Sequence, residues 1–413
     1  IVVDEEHDLS FKQEDNIRYQ ARDLAIVRSQ LEKFPIILSS ATPSLETQNN
    51  IQKKKFTHLF LSSQYSGLKL PDIKLIDMKK EHLQKNQWIS QTILNAIEKS
   101  LSNGEQILLF LNRRGYSPLV LCYSCGFRYQ CSQCSSWLVM HKKKNRLLCH
   151  HCGSISSIET TCVKCQTPDS LKPIGPGVER LAEEIEAIFP NYSTKTMSSD
   201  NANTPNKIKK IVENFENKKI DILVATQIMA KGYHFPNLSI VGVIDADAGL
   251  SGGDMRAVER TYNLLQQVSG RAGRTKKVGQ VYIQTYYPEN SVIRTFKDRD
   301  RDNFIKQTLE ERKQFNIPPF SFMTAIVLSG SSRAKVESFA NDLVKGKNLE
   351  KGIEIMGPVE APLFLLRGRY RYRLLLKGDK RSKLNLFTRK MIKKTPLPSN
   401  IRLTVDVDPY TFT

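Results

Sequence analysis

The sequence predicts an α/β protein built from several units, with a cysteine-rich module set into its middle and a small α+β sandwich at its carboxyl end. Three observations carry that expectation. Short apolar runs, Gln106 to Asn112, Ile222 to Ala225 and Ile240 to Ile244, are separated by helical patterns, as parallel strands buried on both faces read. All 8 cysteines fall between Cys122 and Cys165. After the breaker Pro318-Pro319 the pattern becomes strand, helix, strand, strand, helix, strand, the order of a split-βαβ, ferredoxin-like sandwich.

Composition narrows the function classes. A chain of 413 residues has room for roughly two to four domains with real cores. Its net charge of +20 and pI near 9.5 call for an anionic partner, nucleic acid before membrane. No apolar run approaches the ~18 residues that span a bilayer, and no lipidation or export signal occurs, so a cytoplasmic protein with no membrane partner is expected. The chain opens in mid-strand at Ile1-Val-Val-Asp4, with no methionine before Met78, so a longer parent protein is expected.

At the start, Asp4-Glu5-Glu6-His7 follows an apolar strand, the place where α/β nucleotide-binding folds hold magnesium at the carboxyl end of a sheet. One carboxylate there can hold Mg²⁺ while a second polarises the attacking water. An acidic string alone usually just ends a strand in solvent. The next strand, Ile36 to Ser39, runs into Ser40-Ala-Thr42-Pro43, and two such strand ends together are more specific. Between them Phe11 and Tyr19 either stack on bases or simply pack, and an amphipathic helix is expected over 18–33. Residues 48–88 are Lys-rich and poorly periodic, which reads as a connection, and Ser90 caps a helix reaching Leu101.

The strand over 106–112 ends at Asn112-Arg113-Arg114-Gly115, beside the cysteines. These form four CxxC pairs: Cys122/Cys125, Cys131/Cys134, Cys149/Cys152 and Cys162/Cys165. A CxxC turn brings two thiolates to one metal, and two turns complete a tetrahedral site, so two zinc ions per chain are expected. Disulfides, the competing reading, need an oxidising compartment that nothing here indicates. Four pairs can be joined in three ways. The inner pairs flank residues 135–148, near zinc-ribbon spacing, which favours Cys131, Cys134, Cys149 and Cys152 on one zinc and Cys122, Cys125, Cys162 and Cys165 on the other. His150 and His151 are read as bystanders. The block carries Arg128, Lys142, Lys143, Lys144, Arg146 and Lys164 against Glu159, a solvated face or a surface for nucleic acid or a partner.

Beyond it, Gly175-Pro-Gly177 enters a helix and could bring backbone amides toward a phosphate. A sharper constellation follows. Strand 221–225 leads into Thr226-Gln227 and Lys231-Gly232, another strand ends at Asp245 and Asp247, and a helix from Ala257 leads to Gln267-Val-Ser-Gly-Arg271-Ala-Gly-Arg274. Two arginines three apart, held by glycines at a helix end, suit clamping the charge on a transferring γ-phosphoryl group. In the last unit, 12 Lys/Arg stand against Asp379 between Arg367 and Lys394, and in Arg369-Tyr-Arg-Tyr-Arg373 cations and aromatics alternate between strand faces. The cationic face can neutralise phosphates or an acidic peptide, or form a solvated edge that resists aggregation.

These pieces in this order, with Thr226 to Gly232 and Gln267 to Arg274 in a divided second lobe, resemble the superfamily 2 helicases. The octacysteine insertion after Phe110-Leu-Asn-Arg-Arg-Gly115 narrows the resemblance to the primosomal protein N′ family of replication-restart helicases. It continues through Gly175 to Arg180, Lys231 to Pro236, Asp254 to Arg260 and Val405 to Pro409, and covers essentially the whole chain. The resemblance implies RecA-like helicase lobes, divided as a partial first lobe (1–88), the start of lobe two (89–121), the zinc insertion (122–165), the rest of lobe two (166–318) and a carboxyl-terminal domain (319–413). It implies an ATP-driven, 3′-to-5′ DNA helicase that recognises stalled forks and D-loops and loads the replicative helicase through other primosome proteins. Asp4 and Glu5 would be the magnesium and water-activating pair, with Ser40 and Thr42 coupling hydrolysis to DNA movement. Thr226, Gln227 and Lys231 would touch DNA backbone and nucleotide, and Gln267, Arg271 and Arg274 would reach the γ-phosphate. The carboxyl-terminal domain would meet DNA and the acidic tail of single-stranded DNA-binding protein, with Arg381 a candidate for the tail.

The sequence departs from the family pattern in two places. Ala225 stands where the family has Gly before Thr-Gln. No GxxxxGK[ST] phosphate loop occurs, so this chain alone is expected neither to cradle a triphosphate nor to unwind DNA. The competing expectation is a zinc-containing DNA- or protein-binding module without ATP turnover.

Overall fold

The computed structural model describes the chain outside residues 15–16, 62–69, 85–86, 112–118, 123–124, 126, 128, 130, 133–137, 142–145, 149–153, 158–160, 169, 175–176, 199–201, 203, 227–234, 248–249, 251–255, 273–277, 346–349 and 411–413. At the start, β1 (Val2–Val3), β2 (Lys12–Gln13), β3 (Tyr19–Gln20), α1 (Ala21–Glu32), β4 (Ile37–Leu38) and α2 (Leu45–Gln52) form a small unit. β1 pairs with β4 in parallel, so the two predicted strand ends do lie side by side. The Gln20 side chain accepts the Arg22 amide at the start of α1, and Lys33 ends that helix with φ of 59°. Ser44 caps α2 by accepting the Thr47 amide.

The next stretch corrects one expectation. Strand β5 (Asp72–Asp77) falls inside the region read as a connection, and it pairs in parallel with a strand two hundred residues later. Its sequence, Asp-Ile-Lys-Leu-Ile-Asp, alternates as an edge strand does, a signal too short to stand out beside the lysines. Helix α3 (Gln91–Ser102) begins at the predicted Ser90 cap, whose side chain accepts the Ile93 amide, and leads to β6 (Gln106–Phe110), buried along its whole length.

The chain then leaves this sheet for an antiparallel one made of β7 (Leu119–Cys122), β8 (Val139–His141), β9 (Arg146–Leu148), β10 (Ile155–Ser157) and β11 (Leu171–Ile174), in the order β10-β9-β8-β7-β11. It returns through α4 (Val178–Ile188), β12 (Thr194–Met197), α5 (Pro205–Glu216), β13 (Ile222–Ala225), β14 (Leu238–Val243), α6 (Ala257–Ser269), β15 (Gln280–Thr285), α7 (Ser291–Lys297) and α8 (Arg301–Gln314). Among the described residues the main sheet is parallel, ordered β12-β13-β6-β14-β15-β5.

Successive strand residues point to opposite faces, and here both faces are covered. Leu108, Phe110, Leu223 and Val241 pack with Phe215, Tyr262 and Phe296 on one side. Ile107, Leu109, Ile222 and Ile240 pack with Ile93, Ile97, Leu181 and Ile185 on the other. Each such side chain contributes roughly 1.5–3 kcal/mol when fully buried, and this explains the unbroken apolar runs.

The last unit follows the predicted order: β16 (Phe322–Gly330), α9 (Arg333–Val344), β17 (Ile353–Leu366), β18 (Arg369–Gly378), α10 (Arg381–Lys393) and β19 (Ile401–Val407). Its antiparallel sheet runs β17-β18-β16-β19, the ferredoxin-like arrangement. β17 is far longer than the expected 353–356, because past Gly357-Pro358 the ladder resumes with Val359 opposite Arg373. Tyr372, Leu374 and Leu376 enter the core under α9 and α10, as the alternation predicts. Arg371 and Arg373 take the opposite face, half-buried rather than solvated. Burial first, then the charges of Arg18 and Arg373, lower the Arg371 pKa, so this face is turned toward the amino-terminal unit. No helix among the described residues is long and apolar enough to cross a membrane.

Candidate functional sites

The parallel pairing of β1 with β4 sets the first site. The Ser39 amide donates to the Val3 carbonyl at 2.8 Å and the Glu6 amide to Ser39 at 3.1 Å, so the turn after β1 lies against the turn after β4. Asp4 and Glu5 point to solvent, and Asp4 Oδ1 accepts the Glu5 amide at 3.0 Å. Glu5 takes φ of 48°, a left-handed backbone that few non-glycine residues adopt. Two adjacent exposed carboxylates, one of them within 3.5 Å of His7 Nδ1, offer the hard oxygen donors that a magnesium ion takes.

His7 joins three segments. Its Nδ1 lies 2.7 Å from Ser40 Oγ and its Nε2 lies 3.3 Å from Thr42 Oγ1. Gln267 Nε2 lies 2.9 Å from His7 Nε2. An amide N–H donating to Nε2 requires Nδ1 to carry the proton, which it then presents toward Ser40. Ser40 Oγ also accepts the Thr42 amide at 2.9 Å, which orders the second turn. Arg271, four residues after Gln267 and past the end of α6, is buried. Thr226 stands at the carboxyl end of β13, its amide donating to Met197 at 3.1 Å. Gln227, Lys231 and Arg274 lie outside the described residues, as do Asn112 to Gly115 and Gly175-Pro176.

Beneath the acid turn lies a set of charges to which the sequence reading gave no role. Glu6, Arg22, Arg256, Glu259, Arg312 and Tyr410 are all buried. Arg256 pairs with Glu46 at 2.6 Å, and Arg312 with Glu259 at 2.9 Å. Burial acts to raise the Glu46 carboxyl, but Arg256 foremost, then Arg312 and Arg22, prevail and hold it at about 2. Arg256 and Glu259 both stand in the Asp254 to Arg260 stretch, so the signal was present, but two charges three apart on a helix usually mark a solvated face.

The second site lies on the antiparallel module. The Sγ atoms of Cys122, Cys125, Cys162 and Cys165 all lie within 4.8 Å of one another. Cys122 and Cys165 are 3.6 Å apart, Cys125 and Cys162 3.7 Å. A tetrahedral ion with ~2.3 Å bonds to sulfur has S···S edges of about 3.8 Å, so this cluster could hold one metal ion. β7 positions Cys122, and a tight turn positions the second pair, the Gln166 amide donating to Cys162 O at 2.8 Å and the Lys164 amide lying 3.4 Å from Cys162 Sγ. Cys131 is buried against Val120, Tyr129, Leu138 and Leu147. Cys134, Cys149 and Cys152 lie outside the described residues, with His150 and His151.

In the last unit, Arg381 is half-exposed, pairs with Asp408 at 2.7 Å and lies over the Phe322 ring. Arg389, Lys390, Lys393 and Lys394 line the exposed side of α10.

Residues 313–410 match the family described as primosomal protein N C-terminal domain, and residues 143–276 match the helicase conserved C-terminal domain. The chain is 47% identical over 412 residues to the replication restart protein PriA of Rickettsia conorii, all of this chain against 63% of that protein. Identity is 37% with PriA of Haemophilus influenzae (99% of this chain, 56% of that protein) and 34% with PriA of Bacillus subtilis (99% and 52%). The chain belongs to the PriA family. It spans between about half and two thirds of the length of these PriA relatives. The helicase match takes in Gln267 and Arg271, and the PriA carboxyl-terminal match takes in β16 to β19 together with Tyr410.

Proposed function

We propose that this chain supplies part of the motor, the zinc module and the carboxyl-terminal domain of an ATP-dependent, 3′-to-5′ DNA helicase that restarts replication. The observation that carries this reading is the meeting at His7 of Ser40 and Thr42 with Gln267, 260 positions away. A residue on the acid turn that touches the start of one lobe and the last motif of another suits a site that works only when the two close together.

Magnesium-bound ATP supplies the transferable phosphoryl group. Asp4 would hold the magnesium ion, which would offset the phosphate charge, and Glu5 would accept the proton of the attacking water. His7 passes the position of this turn to Ser40 and Thr42. Gln267 reports closure, while Arg271 and Arg274 face the γ-phosphate charge. Thr226, Gln227 and Lys231 contact the DNA backbone and nucleotide. The domain limits are those read from the sequence, with β5 added to the second lobe. Two zinc ions order the module, one on Cys122, Cys125, Cys162 and Cys165 and one on Cys131, Cys134, Cys149 and Cys152. Forks, D-loops and single-stranded DNA are the substrates. Single-stranded DNA-binding protein, whose acidic tail competes with Asp408 for Arg381, other primosome proteins and the replicative helicase are the partners, in the cytoplasm at the nucleoid.

The test is DNA-stimulated ATP hydrolysis by the full-length protein and its Glu5→Gln variant. Turnover that rises with single-stranded DNA and drops by orders of magnitude in the variant is expected. Full turnover in Glu5→Gln removes the acid turn from the chemistry. A second reading, a DNA- or protein-binding module without turnover, draws on the four-cysteine cluster and the net charge of +20. It predicts zinc and DNA binding with no hydrolysis under any condition.

A further inference from the structure

The end of β19 and the residues after it are held by the other two units at once. Lys12 Nζ donates to Asp406 Oδ1 at 2.6 Å and to the carbonyls of Val407 and Asp408 at 3.0 and 3.3 Å. Arg18 reaches the other Asp406 oxygen at 3.4 Å. Four residues on, Tyr410 is buried between two guanidiniums. Arg22 Nη2 donates to its hydroxyl at 2.9 Å, and Arg256 lies 4.4 Å from its ring centroid. Burial pushes the Tyr410 phenol up to about 12, so it meets both cations as a neutral group.

Each guanidinium carries the contact onward. From Arg22, Nη1 donates to Glu6 Oε2 at 2.8 Å and to Ser44 Oγ at 2.8 Å. Glu6 Oε1 accepts the Ser44 amide at 2.6 Å, so Glu6 bridges the turn holding Asp4 and Glu5 to the end of Ser40 to Ser44. From Arg256, the path runs to Glu46, while Glu259 accepts the Leu45 amide at 3.0 Å. Buried charges hold only while their partners are in place, since an orphaned one costs several times what the pair contributes. Two neighbouring amides, Ser44 and Leu45, thus report on two different arms from one tyrosine.

We propose that Tyr410 is a positioning residue through which the carboxyl-terminal domain sets the acid turn: its hydroxyl fixes Arg22, Arg22 fixes Glu6, and Glu6 fixes the turn that carries Asp4 and Glu5. Its ring separately braces Arg256 at the start of α6. Docking of the last domain therefore prepares the turn for chemistry. The consequence for turnover rests on the function proposed above; the structural coupling does not.

The test uses the full-length protein with Tyr410→Phe and Tyr410→Ala. Phenylalanine keeps the ring and removes the hydroxyl. In Tyr410→Phe, amide exchange at Ser44 should quicken by about tenfold while Leu45 keeps its protection. In Tyr410→Ala both amides should quicken. For ATP hydrolysis, Tyr410→Phe should lower kcat several-fold and leave KM for ATP and DNA affinity within about twofold. A general loss of packing would instead quicken both amides in both variants, which overturns the hydroxyl's role. Unchanged protection at Ser44 in Tyr410→Ala overturns the coupling, and altered protection with unaltered kcat overturns its part in catalysis. If the wild-type protein does not hydrolyse ATP, the function proposed above falls, and the Ser44 and Leu45 amides still decide the coupling.

Discussion

Replacing Glu46 by glutamine tests the charge set directly, because its pairing with Arg256 sets the direction and the pH window of the effect. Arg256 holds the Glu46 carboxyl at about 2 in the folded chain, against an ordinary 4.5. At ~1.36 kcal/mol per pH unit, that gap corresponds to roughly 3 kcal/mol of folding stability at neutral pH. The group is depressed on folding, so its contribution is complete above the unfolded value and is lost as pH falls from about 4.5 toward 2. Glutamine keeps the shape and removes the charge, leaving Arg256 with Glu259 at 3.8 Å and the Tyr410 ring. Urea unfolding followed by far-UV circular dichroism should therefore find Glu46→Gln less stable than wild type by roughly 3 kcal/mol near pH 7, and by about half that or less near pH 3. The wild type should show the steeper acid loss. A difference that is the same at both pH values, or negligible at pH 7, would refute the assignment of Glu46 as the ion-pair partner of Arg256.

Other changes separate the remaining sites. Cys162→Ser should remove one zinc per chain in metal analysis of the purified protein, and unchanged zinc would take Cys162 out of the ligand set. Gln267→Ala breaks the contact with His7 and should lower ATP turnover of the full-length protein by roughly 10- to 100-fold with DNA affinity nearly intact; equal loss of both would indicate misfolding. DNA affinity should fall linearly on a log-log plot against salt, and Arg389→Ala or Lys393→Ala, on the exposed side of α10, should each lessen the slope by about 1; no change would place DNA elsewhere. Gly357→Ala should cost roughly 1–3 kcal/mol, because φ is 96° and a Cβ would meet the Arg373 carbonyl at 2.8 Å; thermal unfolding at the wild-type temperature would contradict it.

What the sequence disclosed and what it hid follow from the range of each signal. β6, β13 and β14 were legible because a strand buried on both faces must be apolar throughout, and 106–110 is buried at every position. The βαββαβ order was legible because strand and helix patterns alternate there, although the interruption of β17 at Gly357-Pro358 hid its length. β5 was missed because six alternating residues at a sheet edge, amid lysines, carry little periodic information. Asp4, Glu5, Ser40 and Thr42 could be picked out because strand ends announce themselves locally, yet nothing local shows that His7 meets Gln267. Nor could composition show that Arg371 and Arg373, read as a cationic face open to a partner or to solvent, are half-buried, with Arg371 within reach of the Arg18 charge.

The same reasoning explains why the junction of the three units is built from charge. Apolar surfaces are non-directional and tolerate sliding, whereas a guanidinium fork accepts partners in one plane and at one distance. Arg22 meets Glu6, Ser44 and Tyr410, contributed by three segments of the chain, each at 2.8 or 2.9 Å. A shift of the segment carrying Glu6 would take that carboxylate from the buried Arg22, and a shift of either of the others would take a neutral partner from the same fork. Such a junction adds little net stability over well-packed apolar residues. It makes intermediate placements costly, and a unit that is either in register or out of it can transmit its own docking to the turn carrying Asp4 and Glu5.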